Sequence, residues 1–372
     1  MVDDAPRPWL PARRLRDDVE VWVPVEHVVS TPGEAARLGV TDPLVTPVSN
    51  GLGAGGDRDQ AVLHALLEVL QRDGNGLRFR ALDAGRVVDV DDARLDPATA
   101  QVLAALRARG VEVQVKAAAT DFGLPDVVVV GSAPGDDLVV ATACGEAVHP
   151  DRDVAVRKAV CEFAAARIRK RWSHHAPADG PLREPDGSWE QEEPRVLAAT
   201  VRWLTDPPPD WPDLLRHSVF RVEQHVPWAQ VPTTPTDDLT TRQVLDLVVD
   251  RLAAEGFEPV VVDLADGADG VHAVKVVVPG LEVETVAYGR IGERNVRRLL
   301  DGGRDDLVRV GARPDGDGWA RVVLNEQAEA RLGGAAWLDR AALDAVAGDL
   351  LPLYREPGQH AAQAAIAAGW RP

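Results

Sequence analysis

The chain has 372 residues, of which 45% are apolar, and a formal net charge of −18. That length is sufficient for a sizeable core and for one to three domains, and no run of about 18 apolar residues occurs, so we expect no membrane span. The negative charge disfavours nucleic acid as a partner, because binding to its phosphates needs a basic surface. Cys144 and Cys161 alone are too few for a disulfide framework or a four-cysteine zinc site. The N-terminus lacks the apolar segment of a secretory signal, so we expect a cytoplasmic protein.

Helix and strand patterns alternate through the first half of the chain. We predict strands over residues 21–28, 87–90, 111–115, 127–130 and 138–143, and helices over residues 57–72, 97–109 and 152–171. Gly110 follows the second helix at the position where a left-handed residue commonly ends a helix. Such alternation predicts an α/β or α+β fold built from layers.

The second half of the chain has a less regular pattern. Residues 174–210 are rich in proline, glycine and acidic residues, which indicates an irregular insertion with at most a short helix over 196–204. Later patterns predict a helix over 240–255, strands over 259–264 and 273–278, and a C-terminal helical region with one strand over 320–324. We therefore expect a domain over residues 1–300 and a helical extension over 301–372.

An internal repeat relates two of the predicted helices at an offset of 94 residues, from 57 to 151. Residues 57–59 and 151–153 are both Asp-Arg-Asp, and Glu68 aligns with Glu162 in the same register. A second match relates residues 101–115 to residues 243–262, each a helix, a glycine and a strand. The repeat predicts a pseudo-symmetric fold of duplicated helix and strand units. The alternative is that the same tripeptide caps two unrelated helices.

A glycine-rich segment over residues 49–56 precedes the first of these helices. Glycines let backbone N–H groups approach an anion, and the N-terminus of a helix adds positive potential. The segment is therefore either a phosphate site or a tight connection between a strand and a helix.

The helix after this segment carries a polar stripe. Gln60, His64, Glu68 and Arg72 recur every four residues and share one face. The stripe is either a solvated surface or part of a binding site. The duplicated Glu162 favours the second interpretation, because paired carboxylates suit Mg²⁺ that is bound to nucleotide phosphates.

These segments resemble the YcaO family. Residues 47–55 together with 61–73 are similar to its central motif, which is close to S-N-G-x-x-A-G-N followed by a helix ending E-x-x-E-R. Residues 149–167 and 274–282 are similar to later elements of the family, in the expected order. The resemblance covers roughly residues 5–300 and implies a YcaO-like domain without its N-terminal part.

The resemblance implies an enzyme that uses ATP and Mg²⁺ to modify a backbone amide of a peptide. In this family a nucleophile attacks the amide carbon and the amide oxygen leaves as phosphate, which gives an azoline or a thioamide. The substrate is a ribosomally made peptide or a protein. By position, the residues that would bind the nucleotide are Ser49, Asn50, Glu68, Gln71, Arg72 and Lys158, and those that would bind Mg²⁺ are Glu68 and Glu162. No catalytic side chain is assigned.

The sequence also departs from the family pattern. Gly56 replaces an asparagine, Gln60 and Gln71 replace glutamates, and Lys158 and Lys275 replace arginines. An amide brings no charge to a metal, and lysine lacks the planar fork of arginine. A weakened or lost nucleotide site is therefore one expectation.

The family's first glutamate-bearing helix has no counterpart in this sequence. Three explanations stand: a misassigned start, a second polypeptide that completes the site, or a degenerate homologue that only binds a peptide or a partner. The Glu-to-Gln changes favour the last over a misassigned start, since a wrong start would not change these residues. The partners that we expect are a peptide or protein substrate, a complementing or leader-binding protein, and a second copy of the chain.

Overall fold

The structure is a computed structural model that describes residues 7–40, 43, 45–74, 82–90, 95–119, 121–175, 188–266, 269–283, 290–347 and 356–372. Its strands are β1 Trp9–Arg14, β2 Glu20–Pro24, β3 Leu52–Gly55, β4 Arg86–Asp89, β5 Glu112–Ala119, β6 Asp126–Ser132, β7 Cys144–Val148, β8 Gln224–Pro227, β9 Val260–Asp266, β10 His272–Val277, β11 Val308–Val310, β12 Trp319–Arg321 and β13 Ala336–Asp339. Its α-helices are α1 Pro32–Arg37, α2 Arg58–Gly74, α3 Pro97–Arg107, α4 Leu138–Ala141, α5 Arg152–His174, α6 Pro194–Thr205, α7 Trp211–His217, α8 Thr241–Ala254, α9 Glu293–Asp301, α10 Glu326–Leu332, α11 Arg340–Ala347 and α12 Ala361–Ala367.

Two five-stranded sheets dominate the described part of the chain. The first has the order β2-β1-β9-β10-β3 with antiparallel neighbours. The second has the order β7-β6-β5-β4-β8, in which β4 and β8 are parallel and the other neighbours antiparallel. The fold is therefore mixed α/β, which confirms the predicted fold class.

The two sheets share an arrangement of elements. In the second sheet α3 leads to β5, β6 and the edge strand β7, and α5 follows β7. In the first sheet α8 leads to β9 and β10, whose neighbour is the edge strand β3, and α2 follows β3. This is the order that the sequence repeat predicts. The duplication itself stays a prediction.

Helices α2 and α5 each cover one sheet with an apolar stripe. From α2, Val62, Leu66 and Val69 pack with Val274 and Val276 of β10. From α5, Val156, Val160 and Phe163 pack with Val127 and Val129 of β6. Each fully buried side chain of this size contributes about 1.5–3 kcal/mol, so the two stripes fix both helices on their sheets.

Two glycines let these helices lie close to the edge strands. A Cβ atom on Gly53 of β3 would lie 2.1 Å from the carbonyl oxygen of Ala61 in α2. A Cβ atom on Gly145 of β7 would lie 2.1 Å from the carbonyl oxygen of Ala159 in α5. Both contacts are with backbone atoms, which cannot give way as a flexible side chain does, so each close approach requires glycine.

The structure corrects the prediction of a strand over residues 138–143. Leu138–Ala141 is the short helix α4, and β7 begins only at Cys144. Asp137 caps α4, because its side chain accepts the N–H of Val140 at 2.9 Å. An apolar run of this length is compatible with a buried helix as well as with a strand. The cap provided by Asp137 favours the helix.

Two other regions are more regular than the sequence indicated. Within residues 174–210, the described residues include α6, which contains the predicted short helix, while residues 176–187 lie outside the described part. The C-terminal region contains helices and also a three-stranded sheet of order β11-β13-β12, where the sequence indicated one strand. Its core joins Val296 and Leu299 of α9 to Leu338 of β13.

Ion pairs attach α9 to the C-terminal end of α2. The buried carboxylate of Asp73 accepts hydrogen bonds from Arg294 at 2.9 Å, from Arg298 at 2.8 Å and from the backbone N–H of Glu282 at 2.8 Å. The C-terminal region is therefore linked by ion pairs to the helix that carries the polar stripe.

Candidate nucleotide site between α2, β7 and α5

The glycine-rich segment forms strand β3 and a closed turn before α2. Gln60 accepts the backbone N–H of Gly56 at 3.0 Å through its side-chain oxygen, and Asp57 accepts the N–H of Gln60 at 2.8 Å. The amide of Gln60 thus stabilises the loop in the place where the sequence comparison expects a carboxylate.

Ser49 and Asn50 begin this segment. The carbonyl oxygen of Ser49 accepts the N–H of Leu52 at 2.9 Å, which makes a tight turn, and the Ser49 side chain is exposed. Asn50 donates to the carbonyl oxygen of Val283 at 2.6 Å and lines a cavity of about 300 Å³ that Lys275 also lines. The predicted nucleotide loop therefore lies beside a cavity and a buried lysine.

Glu68 lies on the polar face of α2 and contacts both the loop and Arg72. Its Oε2 atom accepts the backbone N–H of Gly51 at 3.3 Å, and its Oε1 atom lies 3.6 Å from Nη2 of Arg72. The carboxylate is about one-fifth exposed, at 21%. It remains accessible to a ligand while it fixes the position of the loop.

Arg72 connects α2 to the edge of the second sheet. Its Nη1 atom donates to Oε2 of Glu146 in β7 at 3.0 Å, and Gln71 donates to the same oxygen at 3.3 Å. The Glu146 side chain is 3% exposed, so the ion pair is buried on one side. The Nε atom of Arg72 is buried and has no hydrogen-bond partner. One N–H of Arg72 therefore has no acceptor among the described residues.

Glu162 of α5 contacts the same strand. It accepts the backbone N–H of Glu146 at 2.7 Å. Glu68 and Glu162 therefore play similar parts: Glu162 accepts an N–H within the edge strand before its helix, and Glu68 accepts the N–H of Gly51, the residue just before its edge strand. The two predicted metal ligands are joined through Arg72 and Glu146.

Glu146 is a site residue that the sequence reasoning missed. It was hidden beside the misplaced strand over residues 138–143, and its partner Arg72 lies in another layer of the fold. The available signal was a lone acidic side chain among apolar neighbours between Cys144 and Val148.

Three ionisable side chains lie near these carboxylates or near Lys158. Partial desolvation lowers the pKa of Lys158, which still reaches solvent, and Glu162 opposes that effect. Desolvation also lowers the pKa of His64, and the charge of Lys158 adds to it. Desolvation lowers the pKa of His149 to about 4. His149 is therefore neutral near pH 7, and its Nδ1 atom accepts the N–H of Asp151 at 3.1 Å.

Lys275 is the most buried cation next to the loop. Its Nζ atom donates to the carbonyl oxygen of Val48 at 2.6 Å. Burial lowers its pKa to about 8, although the negative charge of Glu68 acts in the opposite direction. Because burial disfavours the charged form of Lys275, an anion bound next to it would stabilise that charged form.

The donor set fits a nucleotide with Mg²⁺ better than it fits a free metal ion. No group of three or more histidine, cysteine, aspartate or glutamate side chains converges within the described ranges. Mg²⁺ is commonly held by one or two carboxylates, with phosphate and water supplying its other ligands. Glu68 and Glu162 are the candidates for such carboxylates, and Arg72, Lys158 and Lys275 are the candidate cations for phosphates.

Comparison with known proteins identifies the family. A family model described as YcaO cyclodehydratase, ATP- and Mg²⁺-binding, matches residues 2–282. The chain belongs to the YcaO family. A YcaO protein of Methanopyrus kandleri, solved with AMPPCP and Mg²⁺, superposes with a TM-score of 0.54 at 22% identity, over 77% of this chain and 68% of that one.

Two further similar proteins extend the comparison. The heterocyclase TruD superposes with a TM-score of 0.54 at 18% identity over 74% of this chain, and the chain spans only 35% of its length. An uncharacterized protein of Methanothermobacter thermautotrophicus is 29% identical over 297 residues, which are 77% of this chain and 68% of that protein. The structural similarities establish the YcaO fold. In the described residues, no helix has the length and apolar character that crossing a membrane requires.

Proposed function

We propose that this YcaO protein binds ATP with Mg²⁺ on the face formed by α2, β7 and α5, and uses it to activate a backbone amide of a peptide. The product would be an azoline or a thioamide in a ribosomally made peptide or a modified protein. The observation that carries the proposal is the position of Arg72, which lies between Glu68 and the buried Glu146, while Glu162 holds the strand of Glu146.

The proposed roles follow from these contacts. When bound, ATP supplies the phosphoryl group that turns an amide oxygen into a leaving group. Arg72 is held by carboxylates on two elements, so its guanidinium is oriented before a phosphate arrives, and orientation in advance lowers the cost of binding. Lys158 supplies a second charge from α5. Glu68 and Glu162 would hold Mg²⁺, and the Ser49–Asn50 turn would shape the nucleotide loop.

A second candidate is a homologue that binds a peptide or partner protein without catalysis. It is favoured by Gln60 and Gln71, whose side chains form hydrogen bonds within the protein to Gly56 and Glu146. Neither amide brings negative charge to a metal. Under this candidate the site is a structural remnant, and a complementing or leader-binding protein or a second copy of the chain would be the functional partner.

Calorimetric titration with a non-hydrolysable ATP analogue and Mg²⁺ tests the proposal. We expect binding by the wild type and at least tenfold weaker binding by Glu68→Gln, a loss of about 1.4 kcal/mol or more. Glu326→Gln is the matched control, since Glu326 is an exposed glutamate on α10. If the wild type binds the nucleotide and Glu68→Gln binds it equally well, the nucleotide site does not include Glu68. No binding at millimolar nucleotide would favour the non-catalytic candidate.

A further inference from the structure

The outer face of α5 carries an exposed apolar stripe. Cys161, Ala165, Ile168 and Trp172 are all exposed and follow helical spacing, so they form one line on the surface. Ile168 is 72% exposed and Trp172 is 56% exposed. Exposed large apolar side chains in a continuous line mark an interaction surface more often than isolated ones do.

This stripe begins at the candidate nucleotide site. Cys161 is adjacent in sequence to Glu162, and Lys158 lies one turn before it on the same helix. From Glu162 to Trp172 the helix rises about 15 Å. The stripe is therefore a path along which a polypeptide could lie with one end at the site.

The exposed charged side chains of α5 are mostly positive, although the chain as a whole has a net charge of −18. The exposed charged residues of α5 are Arg157, Lys158, Arg169, Arg171 and Glu162, which is four cations against one anion.

The acidic partners of Arg169 and Arg171 are more buried than the arginines themselves. Arg171 is 63% exposed and bonds to Asp136, which is 1% exposed, and Arg169 is 59% exposed and bonds to Glu356, which is 16% exposed. A ligand that approaches α5 thus meets the guanidinium groups before the carboxylates.

We propose that this face, from Cys161 to Trp172, docks an acidic, apolar segment of the peptide substrate and leads the amide to be modified toward Glu68 and Arg72. This proposal rests on the proposed function, because it names the substrate of that site. Apolar side chains of the peptide would cover Ile168 and Trp172, and its carboxylates would pair with Arg169 and Arg171. A second copy of the chain is a poorer occupant, since a twofold contact of this face with itself would bring like charges together.

Anisotropy of labelled probe peptides tests the docking surface. Two probes have the same length and the same leucines, and carry either glutamates or lysines at the other positions. We expect the acidic probe to bind more tightly, and its affinity to fall with added salt. Ile168→Glu should weaken the acidic probe about tenfold, whereas Ile168→Lys should preserve its binding. Position 168 is exposed, so neither variant should disturb folding.

Val323→Glu is the control, because Val323 is 81% exposed and lies between β12 and α10. Equal affinity for both probes, or equal effects of Ile168→Glu and Val323→Glu, would overturn the docking proposal. A concentration-dependent dimer that Ile168→Glu dissociates would also overturn it, in favour of self-association. Nucleotide titration of the wild type, run beside the probe titration, separates the two proposals. If the acidic probe docks and no nucleotide binds, the docking surface stands and the enzymatic function fails.

Discussion

At the scale of single residues, the site depends on how its charges are compensated. Arg72 faces two carboxylates, and the one from Glu146 is buried. A buried ion pair adds little stability over an apolar pair, but removal of one partner leaves the other uncompensated. Glu146 therefore has a structural role that is separate from any role in nucleotide binding.

Glu146→Gln should lower the free energy of unfolding by about 1.5–3 kcal/mol, because the partly buried guanidinium of Arg72 loses its nearer carboxylate while Glu68 stays 3.6 Å away. Urea unfolding measures this. The matched control is Glu223→Gln, whose pair with Arg221 is exposed on both sides and should contribute less than about 1 kcal/mol. Equal losses in the two variants would contradict the role given to Glu146.

Lys275 should make stability depend on pH. Its pKa is lowered to about 8 in the folded chain from the ordinary value of 10.5. Between these values the unfolded chain binds the proton that the folded chain has released, so stability rises with pH across that window. Lys275→Met lacks this contribution. The free energy of unfolding of the wild type should therefore rise relative to that of Lys275→Met between pH 7.5 and 10. A difference that stays constant over this range would contradict the burial of Lys275.

At the scale of elements, the two long helices depend on close contact with edge strands. Gly145→Ala would place a Cβ atom 2.1 Å from Ala159 O and 2.2 Å from Phe163 N, both backbone atoms. We expect a loss of about 3 kcal/mol or more, because α5 must move off the sheet. Gly33→Ala is the control, since its nearest atom would lie at 4.0 Å. Thermal unfolding compares the two, and similar melting temperatures would contradict the packing.

The C-terminal segment is attached to α5 through Glu356. Burial acts to raise the pKa of Glu356, but His174, Lys170 and Arg169 outweigh it and lower that pKa to about 2. A lowered pKa contributes stability above the ordinary value of 4.5, which is lost as pH falls toward 2. Glu356→Gln should therefore destabilise the protein by about 2–3 kcal/mol at pH 7, and the difference should shrink steadily below pH 4.5. A difference that is independent of pH would contradict the ion cluster.

Several elements were predictable from local sequence alone. The side chain of Asp96 caps the start of α3, and that of Thr240 caps the start of α8. Gly110, with a φ of 75°, follows the end of α3. Residues 138–143 were mispredicted because a short apolar run is ambiguous without its cap. Local pattern therefore defines elements best where capping and periodicity agree.

The candidate site was predictable only in part. The four-residue spacing placed Glu68 and Arg72 on one face, and the repeat selected Glu162. Glu146 could not be found in this way, since its contact with Arg72 joins residues 74 positions apart. Such a contact depends on how the two sheets meet, which no local pattern encodes.

At the scale of the whole molecule, the site lies where two similarly arranged units meet. Strand β3 with α2 belongs to the first sheet, and β7 with α5 belongs to the second. Glu68 and Glu162 each contact an N–H in or next to the edge strand before their own helix. We propose that the nucleotide binds at this junction, and that the C-terminal region supports it through the contacts of Asp73 with α9.

Hydrogen–deuterium exchange with and without the Mg²⁺ complex of a non-hydrolysable ATP analogue tests this placement most directly. The account predicts slower exchange in residues 49–74 and 144–162, including the N–H groups of Gly51 and Glu146, and little change over β11 to β13. Slower exchange confined to other parts of the chain, or no change at saturating nucleotide, would contradict a nucleotide site between α2, β7 and α5.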